Sequence, residues 1–183
     1  MPFKSRQTQD LVRGRVSGAG TIYFLTWCTA QRAPLLADAP SLGLARQCLA
    51  ACDSTGDGTL LAGTVMPDHI HLLLELGPRL TVSQLVAKTK AAITRSRPGM
   101  KWQLNFFEHR VRTVESAEAY AFYIFMNPYV AGLCPVERTW AGWIPSLEAR
   151  WEFEGKLREG GLPQPEWVEE ARRFSNTLPP GAD

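Results

Sequence analysis

The sequence predicts an α+β fold: a four- or five-stranded antiparallel sheet with an additional C-terminal helix. Three observations predict it. Short runs rich in β-branched and aromatic residues alternate with stretches of helical apolar spacing. Two of the strand-like runs are separated only by Pro67 and Asp68, a turn pair, and so form a hairpin. The resulting order is β-α-β-β-α-β-α, and its first six elements match the ferredoxin-like split β-α-β arrangement.

Taken in order, residues 1–19 read as a polar arm with Gly14 and Gly18 and no clear periodicity. Residues 21–29, "TIYFLTWCT", read as a strand. Residues 40–54 have helical spacing, with Leu42, Ala45, Leu49 and Cys52 on one face. Gly56 and Gly58 break the chain, and "LLAGTVM" (60–66) and "HIHLLLEL" (69–76) are the two hairpin strands. Gly77 and Pro78 end the hairpin. Residues 81–97 form an amphipathic helix with Thr81 as N-cap, closed by Pro98 and Gly99. "FFEHRVRT" (106–113) is a fourth strand, which puts Arg110 and Arg112 on one face and His109 and Val111 on the other. Residues 116–127 form a short helix capped by Ser116 and stopped by Pro128. Beyond Trp140 the pattern weakens, with helical pieces expected near 147–159 and 166–174. The expected division is an arm (1–19), a main domain (20–146) and a helical tail (147–183), with no internal repeat.

The 183 residues suffice for one well-buried core. No apolar run approaches the roughly 18 residues needed to cross a bilayer, and residues 1–10 lack the apolar segment of a signal peptide. A cytoplasmic protein is expected, with no membrane partner. The four cysteines contain no CxxC pair, which argues against a zinc knuckle or redox motif. Net charge is only +2, but it is unevenly spread. Lys4, Arg6, Arg13 and Arg15 crowd the start; Lys88, Lys90, Arg95, Arg97 and Lys101 form a middle cluster, followed by Arg110 and Arg112; acids concentrate between Glu148 and Glu170. A near-neutral total thus holds a basic face suited to a polyanion, or else a set of solvated surface charges.

The chemistry concentrates in "MPDHIHLLLE" (66–75), which holds two of the chain's three histidines. Strand alternation points His69 and His71 to one face, while Ile70, Leu72, Leu74 and Leu76 point into a core on the other. Two imidazoles roughly 7 Å apart along a strand can share one metal ion. Two exposed histidines without a role are the plain alternative, and two ligands alone leave a site incomplete. The helix at 116–127 offers more: Tyr123, whose hydroxyl is a nucleophile, and Asn127, whose carbonyl oxygen can bind a metal, are four apart and share a helix face. An aromatic core position followed by an Asn-Pro terminator is the alternative there. Tyr120 and Tyr129 compete for the nucleophile's role, but neither has a polar partner at i+4.

"MPDHIHLLL" resembles the HUH motif (His, hydrophobic, His) of single-strand DNA endonucleases. Residues 101–133 resemble the C-terminal half of the REP-associated tyrosine transposases, relatives of the one-tyrosine insertion-sequence transposases. Their "YIxxNPVxAGL" stretch is matched by Tyr123, Ile124, Asn127, Pro128, Val130, Ala131, Gly132 and Leu133. "RGRVSGAGTIYFLTWCTAQRAPLL" is similar to the family's opening, and the resemblance spans roughly residues 13–146. Asp68 departs from the family, which usually has Asn or a small polar residue there.

The resemblance implies a metal-dependent single-stranded DNA endonuclease and strand transferase, with His69, His71 and Asn127 holding Mg²⁺ or Mn²⁺. The Tyr123 hydroxyl would attack phosphorus, giving a 5′-phosphotyrosine and a free 3′-hydroxyl. The implied substrate is single-stranded DNA carrying a REP-like hairpin, acted on in the bacterial nucleoid by a monomer or homodimer. Lys88, Lys90, Arg95, Arg97, Arg110 and Arg112 could track phosphates, some of the six tryptophans could stack on bases, and Arg13 and Arg15 could contact the hairpin foot. Two rival readings remain at this level. One is a domesticated hairpin-binding protein without catalysis; the other is a metal-dependent hydrolase in which Tyr123 is only structural.

Overall fold

The computed structural model describes residues 18–178. Among them, five strands form one antiparallel sheet in the order β4-β1-β3-β2-β5. The strands are β1 (Ile22–Cys28), β2 (Gly58–Val65), β3 (His69–Leu76), β4 (Phe107–Arg110) and β5 (Trp143–Pro145). The helices are α1 (Ala39–Thr55), α2 (Val82–Ser96), α3 (Ala117–Val130) and α4 (Trp167–Ser175). The first six elements follow the split β-α-β order, and β3 lies centrally between β1 and β2. No helix among the described residues is long and apolar enough to cross a membrane.

Local chemistry sets the element ends. Asp38 caps α1 by accepting from the Ser41 N–H at 2.9 Å, and Pro40 occupies the first turn, where its missing N–H costs nothing. The helix ends at Gly56 with φ +67°, a left-handed conformation that a glycine adopts freely. Thr81 and Gln84 form a reciprocal capping box on α2, and Ser116 caps α3. Pro67 and Asp68 make the tight β2–β3 connection, closed by Met66 N–H to His69 O at 2.8 Å.

The alternation of β3 divides the molecule into two layers. Ile70, Leu72, Leu74 and Leu76 pack with Tyr23, Leu25, Trp27 and Leu60 beneath α1 and α2. Leu73 faces the other way, with Phe24 and Ala62, against α3 and α4. The second layer includes Trp167 and Ala171 of α4, so the C-terminal segment packs against α3.

Three expectations need correction. Pro128 does not stop α3, which runs on to Val130 with the proline inside it. The stop is Gly132 at φ +70°. The Leu133 N–H reaches Pro128 O at 2.9 Å and the Gly132 N–H reaches Tyr129 O at 3.1 Å, which is a Schellman closure. The fourth strand ends at Arg110, not Thr113: the Arg112 N–H donates to Glu115 Oε2 at 2.6 Å, turning the chain toward α3. Between 147 and 159 there is only a 3₁₀ turn, Glu152–Lys156. The Glu152 and Phe153 N–H groups donate to the Glu118 carboxylate at 3.1 and 3.0 Å, so α3 holds this segment from the side. The fifth strand is three residues of "WIP", too short to carry a period.

Candidate functional site

His69 and His71 lie on the α3 side of the sheet and are buried, His71 at 0% exposure and His69 at 8%. That excludes the reading of two exposed strand histidines. His71 sits in a cross-strand row, opposite Thr26 of β1 and Thr64 of β2. Directly opposite residues share a face, so two hydroxyls flank one imidazole. Thr26 Oγ1 is 2.8 Å from His71 Nδ1, while Thr64 Oγ1 is buried without a hydrogen-bond partner. Burial, then His69, then Arg32 hold the His71 imidazolium well below the usual histidine range. His71 is therefore neutral and keeps a lone pair.

His69 is held at its Nδ1, which lies 2.6 Å from Asp68 Oδ1 and 3.1 Å from Arg32 Nη1. Arg32 also bonds Asp68 Oδ2 at 3.3 Å. With both Nδ1 atoms engaged, the two Nε2 atoms face each other 3.0 Å apart. That is the spacing of two neighbouring ligands on one ion, whose metal–nitrogen bonds run about 2.0–2.1 Å. Carboxylate and hydroxyl partners on the far ring nitrogens are the usual outer support of such ligands. The donor chemistry thus fits a transition-type divalent cation. Among the described residues no group of three or more His, Cys, Asp and Glu side chains is placed to hold a metal. The sequence offers an amide, Asn127, as a further ligand and a phenol, Tyr123, as a nucleophile.

Both are present on α3. Tyr123 is 1% exposed and its ring centroid lies 5.4 Å from that of His71. Asn127 Nδ2 donates to Tyr123 Oη at 3.0 Å, so the i, i+4 pair meets as its spacing requires. This orientation leaves Asn127 Oδ1 as an acceptor. Phe24 of β1 packs against both rings, 5.6 Å from His71 and 5.9 Å from Tyr123, and Phe174 of α4 lies 6.0 Å from Tyr123. The competing tyrosines are engaged elsewhere. Tyr120 donates to Glu115 at 3.5 Å, and burial together with that carboxylate pushes its phenol up to about 12. Tyr129 donates to Arg138 O at 3.1 Å, and its burial also raises its pKa. His109 bonds both Glu115 oxygens and stacks on Tyr120 at 5.5 Å.

The structure gathers His69, His71, Tyr123 and Asn127 but does not bring the α2 cations to them. α2 packs on the opposite layer through Val82, Leu85, Val86 and Ile93. Three cations on it or at its C-cap already have partners: Lys88 with Asp57, Lys90 with Gln103 O at 2.8 Å and Arg97 with Asp38 at 2.7 Å. Arg95 is exposed. Arg110 and Arg112 line a cleft of about 620 Å³ with Gly20, Thr21 and Ile22 at the β4 edge. Arg13 and Arg15 lie outside the described residues. Trp27 and Trp167 are buried and the other tryptophans half-buried; Trp140 and Trp151 donate to Val65 O and Leu61 O, each at 3.1 Å.

Thr26, Thr64 and Arg32 carry no signal of their own in the sequence. The threonines become visible only through cross-strand register. Arg32 sits in a turn without periodicity.

The model of the family described as "Transposase IS200 like" matches residues 19–124, more than half of the chain. A solved structure of a REP-associated tyrosine transposase bound to a REP hairpin shares the fold at TM-score 0.59 and 21% identity, over 70% of this chain and 79% of that one. A candidate transposase from Deinococcus radiodurans R1 aligns at TM-score 0.44 and 27% identity, over 55% of this chain and 85% of that one. No curated protein matches.

Proposed function

Because the chain belongs to the family of IS200-like transposases, we propose that it is a metal-dependent strand transferase acting on single-stranded DNA with a REP-like hairpin. The observation that carries this reading is one buried cluster. Two Nε2 atoms converge at 3.0 Å beside a tyrosine whose Oη is held by Asn127. His69 and His71 would hold Mg²⁺ or Mn²⁺, with Asn127 Oδ1 as third protein ligand and phosphate and water oxygens filling the shell. When bound, the cation polarises the scissile phosphate and offsets its charge.

The remaining chemistry belongs to the chain. Tyr123 Oη loses its proton to solvent and attacks phosphorus, the bond from phosphorus to the 3′ oxygen breaks, and that oxygen takes a proton from solvent and leaves as a 3′-hydroxyl. The strand's 5′ end stays on Tyr123 as a phosphotyrosine. Attack by a 3′-hydroxyl reverses the step, so the bond energy is conserved and no nucleotide cofactor is needed. The Asn127 amide N–H, 3.0 Å from Oη, stabilises the phenolate that forms as Tyr123 loses its proton. Hairpin DNA is the substrate that the resemblance to REP-associated tyrosine transposases suggests.

The test is a denaturing gel of protein incubated with end-labelled hairpin DNA, with and without chelator. A labelled covalent adduct that requires metal and Tyr123 supports the reading. One observation favours a second reading, a hairpin-binding protein without catalysis: Tyr123 and His71 are 1% and 0% exposed, so substrate reaches them only if the cluster opens. That reading predicts hairpin binding with no adduct under any metal condition. Cleavage without protein-bound DNA would instead identify a hydrolase.

A further inference from the structure

His69 Nδ1 has two neighbours that make opposite demands on it. A neutral imidazole carries one N–H and one lone pair. Asp68 Oδ1, 2.6 Å away, accepts only and requires Nδ1 to hold the proton. Arg32 Nη1, 3.1 Å away, donates only and requires Nδ1 to hold the lone pair. The two outcomes differ at the other nitrogen. With the proton on Nδ1, Nε2 offers its lone pair toward the site. With the proton on Nε2, that N–H points at His71 Nε2, 3.0 Å away, and both lone pairs are consumed in a histidine–histidine hydrogen bond. One state accepts a cation between the rings; the other is closed to it.

We infer that Asp68 is a positioning residue that selects the metal-accepting tautomer of His69 against the opposing pull of Arg32. The shorter contact and the full negative charge of the acceptor favour the Nδ1–H form. Arg32 in turn steadies Asp68 through its second oxygen at 3.3 Å. The local backbone is built to hold this trio. Gln31 and Arg32 have φ of 56° and 54°, and they alone among the described non-glycine residues take positive values. Such strain persists where surrounding contacts over-determine it. Here Thr29 supplies them: its N–H donates to Asp68 O at 2.9 Å, and its Oγ1 lies 3.0 Å from Asp68 O and 2.6 Å from Ala33 O. The turn after β1 is thereby tied to the turn before β3. His71 needs no such arbiter, because the Thr26 hydroxyl at its Nδ1 both donates and accepts.

The inference rests on the metal reading above, and its test separates the two. The ¹⁵N resonances of the imidazoles in metal-free protein report the tautomer directly. Wild type should show His69 protonated on Nδ1, and Asp68→Ala should move it to Nε2. Mn²⁺ affinity by calorimetry should fall about 10–100-fold in Asp68→Ala, the usual cost of removing such an outer partner. Asp68→Ala/Arg32→Ala should recover part of that affinity, because the competing donor is gone. A merely structural ion pair predicts no recovery. Asp68 is partly exposed, so the variants should fold; Asp68→Asn, with a mixed tautomer expected, serves if Asp68→Ala does not. An unchanged Nδ1–H signal with Mn²⁺ affinity within about twofold of wild type would overturn the inference, being far short of the expected fall. Wild-type Mn²⁺ affinity in both His69→Ala and His71→Ala would overturn the metal reading instead, while the tautomer spectra still judge Asp68.

Discussion

The two faces of the central strand β3 do different work. On one, Ile70, Leu72, Leu74 and Leu76 enter a core made of apolar side chains from α1, α2 and β1. On the other, His69, His71, Thr26, Thr64 and Asn127 are buried polar residues set among Phe24, Tyr123 and Leu73. The first face stabilises by removing apolar area from water. The second must satisfy each polar atom it buries, and Thr64 Oγ1 shows that it does not fully do so. A single strand can thus separate stability from chemistry because its side chains alternate with a period of two.

The largest effect that tests this division is on the polar face. Tyr123→Phe keeps the ring that packs on Phe24 and His71 and removes only the oxygen. Covalent adduct should fall to background while hairpin affinity stays within about twofold, because the ring keeps its packing and a single oxygen is lost. Tyr120→Phe should retain the adduct, since that phenol is tied to Glu115 and its pKa is raised to about 12. Adduct surviving in Tyr123→Phe would move the nucleophile elsewhere.

Next comes a contrast between neighbouring residues of β3. Ile70→Asp places an unpaired carboxylate in the apolar layer, where Ile70 is fully buried, and should abolish folding. His71→Ala removes a polar group from the other layer and should cost only about 1–3 kcal/mol, leaving a folded protein without metal-dependent cleavage. Thermal melts of the two variants would decide it; an unfolded His71→Ala beside a folded Ile70→Asp would invert the assignment of faces.

Metal should couple the polar face to stability. A cation held by His69 and His71 binds the native state alone, so Mn²⁺ at about a hundred times its dissociation constant should add about 2.7 kcal/mol. The rise in melting temperature should vanish in His69→Ala and with chelator. An equal rise in that variant would place the ion elsewhere.

The fold was legible because its signals are local. The caps Thr81 and Ser116, the Pro67–Asp68 turn and the alternation of residues 69–76 each act over a few neighbours. The i, i+4 pairing of Tyr123 with Asn127 was legible for the same reason. Three things were not. Helix α3 passes through Pro128 because its end is governed by Gly132, whose closing bonds outweigh one missing N–H. The threonines beside His71 follow from strand register, which in the case of Thr26 links positions 45 residues apart. The placement of the cations was not legible because it depends on layer assignment: α2 lies on the other side of the sheet from His69 and His71, with Lys88 paired to Asp57 and Arg97 to Asp38.

That last point yields the smallest expected effect and refines the comparison between faces. Deleting a cation that neutralises one phosphate should lower the salt slope of single-strand binding by about 0.7. Lys88 and Arg97 are neutralised by Asp57 and Asp38, so they have little counterion to release. Arg110 and Arg112 line an open cleft beside the first residues of β1, at the sheet edge where, among the described residues, β1 is the one strand paired with β4. Replacing both with Ala should lower the slope by about 1.4, whereas Lys88→Ala/Arg97→Ala should change it by less than about 0.3. Because phosphate contacts position without reading bases, the ratio of cognate to scrambled hairpin affinity should hold in both variants. Titrations at several salt concentrations measure both quantities. A large slope change from the α2 pair with none from the β4 pair would mean that DNA runs over the apolar layer's helices, and that the polar face meets it only at the scissile phosphate.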